Sequence, residues 1–362
     1  MDLIYSSSSF LFNYNPINIG LLFYNNNNNN LILPSKTDIL KYNLIIINLD
    51  NVLINNTCCK INNSDIIIKK LNESNIPYLI VSNNCCKFPT SLRRDLKQIN
   101  LGIKDNVPIV TNLLLLKKTL VDIINKNILP INKYNKISLK YPHIYNIGVI
   151  GNINQYTYLK SKLKKTKRSI FYWIEDDYIP TNLDYIIIGE VENNKQIENI
   201  EFKSLKWIIN NPNSELIIMN TKVNNIILNN QVKYYTPISY LKNIENKFIN
   251  FEFNKEQNKI LKADLKRNNY GNINKFKITN NQLIIDNSKL DYYSDIFKLY
   301  NINYQEKSKI LIIGNNIEYD LKLSKNLNCD YMLTLSGIIN NINLDNNKNI
   351  KYVVPDISYL LL

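Results

Sequence analysis

Glycine and alanine are scarce in this chain, with only eight glycines among 362 residues. Asparagine, isoleucine, lysine, leucine and tyrosine take their place, a bias that reads as AT-rich coding rather than selection by structure. The cysteines Cys58, Cys59, Cys85, Cys86 and Cys329 are few and odd in number, which excludes a dense disulfide framework and points to a reducing compartment. They also lack Cys-x-x-Cys spacing. Free thiols are therefore preferred to a four-thiolate metal site built from the two adjacent pairs. No run of about 18 uncharged apolar residues exists, so no transmembrane helix is expected. No Lys or Arg precedes Lys36, which makes the N-terminus a poor mitochondrial presequence.

What is present is enough apolar residue for a sizeable core, 45% of the chain, over a length that allows two domains. The net charge of +14 would suggest an anionic partner, but part of the lysine excess is compositional. The densest basic run is Lys160, Lys162, Lys164, Lys165, Lys167 and Arg168. It reads as a solvated helix face, with contact to RNA or an acidic partner as the alternative. Residues 1–41 are rich in Ser, Asn and Tyr and read as a low-complexity or targeting extension. Its apolar first part, Met1 to Tyr24, leaves a signal or organellar leader open.

From Tyr42 onward short apolar runs alternate with amphipathic stretches. Strands are expected at Leu44–Leu49 and Tyr78–Val81, with helices at Ser64–Leu71, Ser91–Ile99 and Ile109–Ile124. Ser64 is expected to cap its helix, with Ile66, Ile67, Ile68 and Leu71 facing inward. A second series follows, with strands at Tyr145–Ile150, Ile170–Ile174, Tyr185–Ile188 and Leu216–Met219. Helices at Tyr156–Lys165 and Phe202–Ile209 lie between them. Residues 220–280 read as a helix near Ile238–Lys247 and a long loop. The first pattern is expected to resume at Leu283–Ile285, followed by Tyr292–Leu299 (helix), Ile310–Ile313 (strand), Tyr319–Asn326 (helix) and Tyr331–Leu335 (strand). The tail Val353–Leu362 should close the sheet or cover its edge. Such alternation implies parallel sheets with right-handed crossovers.

Four stretches carry polar groups where an apolar run ends. The first is Ile45-Ile46-Ile47-Asn48-Leu49-Asp50-Asn51, with Asn48 and Asp50 on one face of a strand. The second is Leu79-Ile80-Val81-Ser82-Asn83-Asn84. The third is Ile284-Ile285-Asp286-Asn287-Ser288-Lys289. The fourth is Ile312-Ile313-Gly314-Asn315-Asn316-Ile317-Glu318-Tyr319-Asp320, followed by Leu333-Thr334-Leu335-Ser336-Gly337-Ile338.

In this order and spacing they resemble the motifs of the haloacid-dehalogenase (HAD) superfamily, in the class IIA form of the NagD-like nucleotidases and the phosphoglycolate, pyridoxal-phosphate and p-nitrophenyl phosphatases. The resemblance covers about Tyr42 to Leu362. It implies a Rossmann-like α/β core with a parallel sheet and an inserted α/β cap. The implied boundaries are core first part 42–107, cap 108–281 and core second part 282–362.

The resemblance also implies roles. Asn48 fills the place of the nucleophilic aspartate and Asp50 that of the general acid and base. Ser82, Asn83 and Lys289 fill phosphate-binding places. Asn48, Asp50, Asn315 and Asp320 fill the Mg²⁺ site. Two of the four acidic positions are therefore amides. An amide is a weaker nucleophile than a carboxylate and a poorer ligand for a hard cation.

The preferred reading is a catalytically impaired pseudophosphatase that serves as a binding, regulatory or structural subunit and holds a phosphorylated small molecule or anion without turnover. An active Mg²⁺-dependent phosphatase of a small phosphomonoester is the first alternative. A subunit of an organellar or ribonucleoprotein assembly is the second. The expected compartment is cytoplasmic or organellar.

Overall fold

The computed structural model describes residues 31–55, 59–74, 76–130, 142–176, 180–219, 226–228, 231–268, 278, 282–285, 293–299, 309–336 and 349–361. The strands, in chain order, are β1 (Leu44–Asn48), β2 (Tyr78–Ser82), β3 (Ile109–Thr111), β4 (Tyr145–Ile150), β5 (Ser169–Trp173), β6 (Tyr185–Ile188), β7 (Val191–Glu192), β8 (Glu215–Ile218), β9 (Ile226–Leu228), β10 (Gln231–Tyr235), β11 (Gln282–Ile284), β12 (Ile310–Gly314), β13 (Asp330–Thr334) and β14 (Ile350–Val354). They form a six-stranded sheet in the order β14-β13-β12-β1-β2-β3 and a five-stranded sheet in the order β11-β8-β6-β4-β5. All pairings in both are parallel. A small antiparallel sheet, β7-β10-β9, adjoins the second.

The central strands are short runs of β-branched and Leu residues because both of their faces are covered. All five residues of β1 are buried. Leu44 and Ile46 enter one apolar cluster, Ile45 and Ile47 the other. That is the period of two expected of a strand with a layer on each side. The first cluster continues without a break through the helix Asn112–Asn125 into Tyr145, Ile147, Val149, Tyr185 and Ile187 of the second sheet. The two sheets thus share one core on one side. A third cluster around the fully buried Trp207 fills the far face of the second sheet.

The structure differs from expectation in several places. β11 pairs with β8, so the first sheet does not resume at residue 282 and this strand belongs to the second sheet. Ile109–Thr111 is a strand of the first sheet, paired with β2, and its helix begins at Asn112; the first sheet therefore extends past residue 107. Asn63, at φ 61°, occupies the cap position assigned to Ser64, and Ser64 Oγ donates instead to Ile61 O. Ile66 is 44% exposed, while Ile67, Ile68 and Leu71 are buried as the helical period requires. Within the segment read as loop, Lys255–Arg267 is a helix that buries Leu261, Asp264 and Leu265. Residues 31–34 reach β14, where Ile32 and Val353 exchange backbone hydrogen bonds at 3.1 and 3.0 Å. No helix among the described residues is long and apolar enough to cross a membrane.

Candidate active site

Strand order places the site. The chain runs outward from β1 through β2 to β3, then returns to the other side of β1 as β12. The order reverses between β1 and β12, which opens a crevice at their carboxyl ends where α/β folds bind ligands. Asn48 ends β1 and Gly314 ends β12.

The turn after β12 is wound as a π-helical turn, Ile317–Leu321. Asp320 N donates to Asn316 O at 2.8 Å, and the carboxylate of Asp320 folds back toward β1. Its Oδ2 accepts from the backbone N–H groups of Asn315 and Asn316, at 3.1 and 3.0 Å. Gly314 is what allows this approach, because a Cβ there would lie 2.2 Å from Oδ2 of Asp320.

Asn48, 3% exposed, uses both ends of its amide. Nδ2 donates to Asp320 Oδ1 and Oδ2 at 3.1 and 3.0 Å. Oδ1 accepts from Asp50 N at 3.1 Å. These partners fix the orientation: turning the amide over would set a carbonyl against a carboxylate and an NH₂ against an N–H.

Asp50 faces β2. Its Oδ2 accepts from Asn83 N at 2.7 Å, and Ser82 Oγ lies 3.3 Å from both carboxylate oxygens. Ser82 Oγ in turn accepts from Asn84 N at 3.1 Å. Asn51, next in the chain, has φ 60°. The left-handed region suits glycine first and asparagine next, so Asn can stand where the resembling motif has Gly. Ser336 Oγ, just past the end of β13, donates to Asn51 O at 2.7 Å and holds this turn.

The structure therefore joins Asn48, Asp50, Ser82, Asn83, Asp320 and the backbone of Asn315 in one network. Lys289 and the rest of its motif, 286–292, lie outside the described residues.

The donor set does not fit Mg²⁺. A hard dication needs several anionic or carbonyl oxygens. Here the Asp320 carboxylate is met by an NH₂ group and two backbone N–H groups, and the Asn48 oxygen is turned to Asp50 N. Among the described residues no three His, Cys, Asp or Glu side chains converge as a metal site. Cys59, Cys85, Cys86 and Cys329 form no disulfide with one another; Cys58 lies outside the described residues. Cys85 and Cys86 face the second sheet instead of a thiolate cluster.

That contact was not legible as a site in the sequence. The second sheet also reverses its order, between β4 and β6, and Gly151 and Gly189 follow those strands. The buried side chain of Gln155 lies against both glycines, where a Cβ would come 2.2 and 2.0 Å from its Oε1. Its Nε2 donates to Cys85 O at 2.8 Å. Cys86 Sγ lies 3.2 Å from Glu190 Oε2, and Cys85 Sγ lies 3.7 Å from Met219 O. Burial, and then the Glu190 carboxylate, push the Cys86 thiol well above its usual range. Asn112, also buried, donates to Asn83 O at 3.3 Å from the other side. The loop after β2 is thus clamped between the carboxyl ends of both sheets. The only sequence sign of Gln155 is an Asn152-x-x-Gln155 capping box, which is formed but predicts only a helix start.

Solved structures match this arrangement along nearly their whole length. A possible sugar phosphatase of the HAD superfamily from Cytophaga hutchinsonii aligns with TM-score 0.60 and 12% identity, over 90% of this chain and 98% of that one. The fold is that of the NagD-like, class IIA HAD phosphatases. A 4-nitrophenylphosphatase from Thermotoga maritima aligns with TM-score 0.57 and 14% identity, over 89% and 97%. NagD from E. coli K-12 aligns with TM-score 0.53 and 11% identity, over 89% and 98%. No family model matches the sequence. No curated protein matches it either. The HAD fold is shared at identities where side-chain chemistry has to be judged from this chain's own residues.

Proposed function

We propose that this HAD-fold protein is a catalytically impaired phosphatase, a binding, regulatory or structural subunit that holds a phosphorylated small molecule or anion without hydrolysing it. The observation that supports this is the bond from Asn48 Nδ2 to the Asp320 carboxylate. Phosphoryl transfer on such a scaffold needs an anionic nucleophile and a cation to gather charge. In this chain an amide stands at the nucleophile position, and its NH₂ group is bonded to both oxygens of the Asp320 carboxylate, which a cation would need as ligands. Ser82 Oγ and the N–H groups of Asn83 and Asn84 are gathered at the carboxyl end of β2, where they serve Asp50 and one another; an anion taking these donors would displace the Asp50 carboxylate.

The test is hydrolysis of p-nitrophenyl phosphate by the purified chain with 5–10 mM Mg²⁺, a range of about that order being ample for weak carboxylate sites. No turnover above a no-protein control is expected. Mg²⁺-dependent turnover that disappears in Asp50→Ala would overturn the proposal in favour of an active phosphatase of a small phosphomonoester.

A further inference from the structure

Residues 153–174 contain six basic residues and no acidic one. The segment comprises the helix Ile153–Leu163, a 3₁₀ turn at Lys164–Thr166, and β5 at the open end of the five-stranded sheet. Its two sides do different things. Gln155 and Leu159 are buried, and Tyr158 stacks on Phe88 beside the first sheet at 4.6 Å between ring centroids. The outer side carries Lys160, Lys162, Lys164, Lys165 and Lys167, all exposed.

The lysines here are unlike many others in the chain. Elsewhere they meet carboxylates: Lys60 with Asp65 at 2.8 Å, Lys97 with Asp105 at 2.9 Å, Lys247 with Glu201 at 2.7 Å. Among the described residues none of the five forms an ion pair. Acidic residues begin only at Glu175 and Asp176, past the end of β5.

Aromatic rings interleave with this charge. Tyr156 and Trp173 are half-buried and stacked, 6.0 Å between centroids with planes 19° apart. Lys160 Nζ lies 5.0 Å from the centroid of the Tyr156 ring and donates to its hydroxyl. The indole N–H is spent on Gly151 O at 3.2 Å. With their polar handles occupied, these rings offer mainly flat apolar surface.

We propose that this outer surface of helix 153–163 and strand β5 binds single-stranded RNA or DNA, with the lysines on phosphates and bases stacked on the Tyr156–Trp173 pair. Such pairing of a basic track with stacking platforms is how strands are held without sequence preference. An acidic protein would use the lysines but not the planar aromatic pair. A lipid surface would use the exposed Ile153 and Ile170 but not the half-buried, stacked Tyr156–Trp173 pair.

The chain carries its own reporter, because its two tryptophans are Trp173 and the fully buried Trp207. Titration of the full chain with a twelve-residue oligouridine at low salt should quench indole fluorescence and saturate. Affinity should fall steeply with added salt, as counterion release requires. The charge-reversed variant K162E/K164E/K165E should bind at least about tenfold more weakly, with its circular dichroism unchanged. Trp173→Phe should bind but lose the quench, which assigns the signal. Absence of saturable binding, binding indifferent to the charge reversal, or a quench that survives in Trp173→Phe would each overturn the proposal. Equal affinity for an RNA duplex or for anionic vesicles, without quenching, would overturn it as well.

Discussion

The amide nitrogen of Asn48 donates to both carboxylate oxygens of Asp320, at 3.1 and 3.0 Å, across the junction of β1 and β12. A buried carboxylate must be met by a cation or by hydrogen-bond donors. In this chain the Asn48 amide and the N–H groups of Asn315 and Asn316 are among the donors that meet it. Asn and Asp are nearly isosteric, so the exchange leaves the packing of the strand end in place and changes only its electrostatics.

Restoring the carboxylates one at a time should therefore carry a cost. Asn48→Asp sets two carboxylates about 3 Å apart in a buried site, and should lose on the order of 3 kcal/mol of stability in EDTA, as an uncompensated buried charge does. Mg²⁺ should recover part of that loss in Asn48→Asp but leave the melting temperature of the unmodified chain unchanged. Thermal melts with and without Mg²⁺ measure both.

Catalysis should respond non-additively to the same changes. Asn48→Asp alone has a nucleophile with weak metal support, and Asn315→Asp alone has nothing to attack phosphorus. Neither should restore much turnover of p-nitrophenyl phosphate, while the double variant should exceed the sum of the singles. A single variant as active as the double would show that the two positions are not coupled.

Gly314→Ala should destabilise the chain sharply. The added methyl would meet Asp320 Oδ2 at 2.2 Å, Cγ at 2.4 Å and Cβ at 2.5 Å, and overpacking of this kind costs about 1–3 kcal/mol or more. Chemical denaturation reads the loss directly; a change under about 0.5 kcal/mol would mean that Asp320 does not fold back onto β12.

Gln155→Ala should loosen the loop after β2. It strands Cys85 O without its 2.8 Å donor, a loss of about 1–3 kcal/mol for a buried acceptor. Cys59 is exposed and should alkylate at once in either protein, whereas Cys85 is buried and Cys86 is held protonated by burial and Glu190. Mass spectrometry after brief iodoacetamide treatment should find Cys85 and Cys86 modified much faster in the variant. Equal rates would mean that Gln155 does not hold the loop.

Most strands of the two parallel sheets were legible because apolar runs of four to six residues between polar turns have few other uses in a chain of this length; the short β3 was read as the start of a helix, and β7, β9 and β10 were not read as strands. The reversal that brings Asn48 beside Asp320 was legible only through the order of motifs. Sheet membership was not. Leu283 and its neighbours look like any buried strand, and only the pairing of β11 with β8 tells which sheet they join. Helix Lys255–Arg267 was hidden by its sparse apolar face, essentially Leu261 and Leu265. Asn112 and Gln155 were missed because a buried amide leaves no pattern; it is recognised by its partners.

One carboxylate offers a pH handle away from the site. Burial alone raises the pKa of Glu215, at the start of β8, above its ordinary value. A raised pKa means that the folded chain binds this proton more tightly, so the contribution of Glu215 is fully present below its unfolded value near 4.5 and is lost as pH rises through the folded value. Glu215→Gln should match the parent protein at pH 4 and become the more stable of the two at pH 7. Urea denaturation at both pH values checks the sign; an advantage confined to acid would contradict it.

The backbone exchange between Ile32 and Val353 has a practical consequence. A sheet edge with open N–H and C=O groups is a template on which another chain can add a strand, the first step toward aggregation. In this fold β14 is that edge, and residues 31–34 lie along it like a selvedge. The stretch just before helix Lys36–Ile39 therefore acts as a guard on self-association. A chain trimmed to residue 35 would keep every residue of the crevice yet present the bare backbone of β14 to its neighbours.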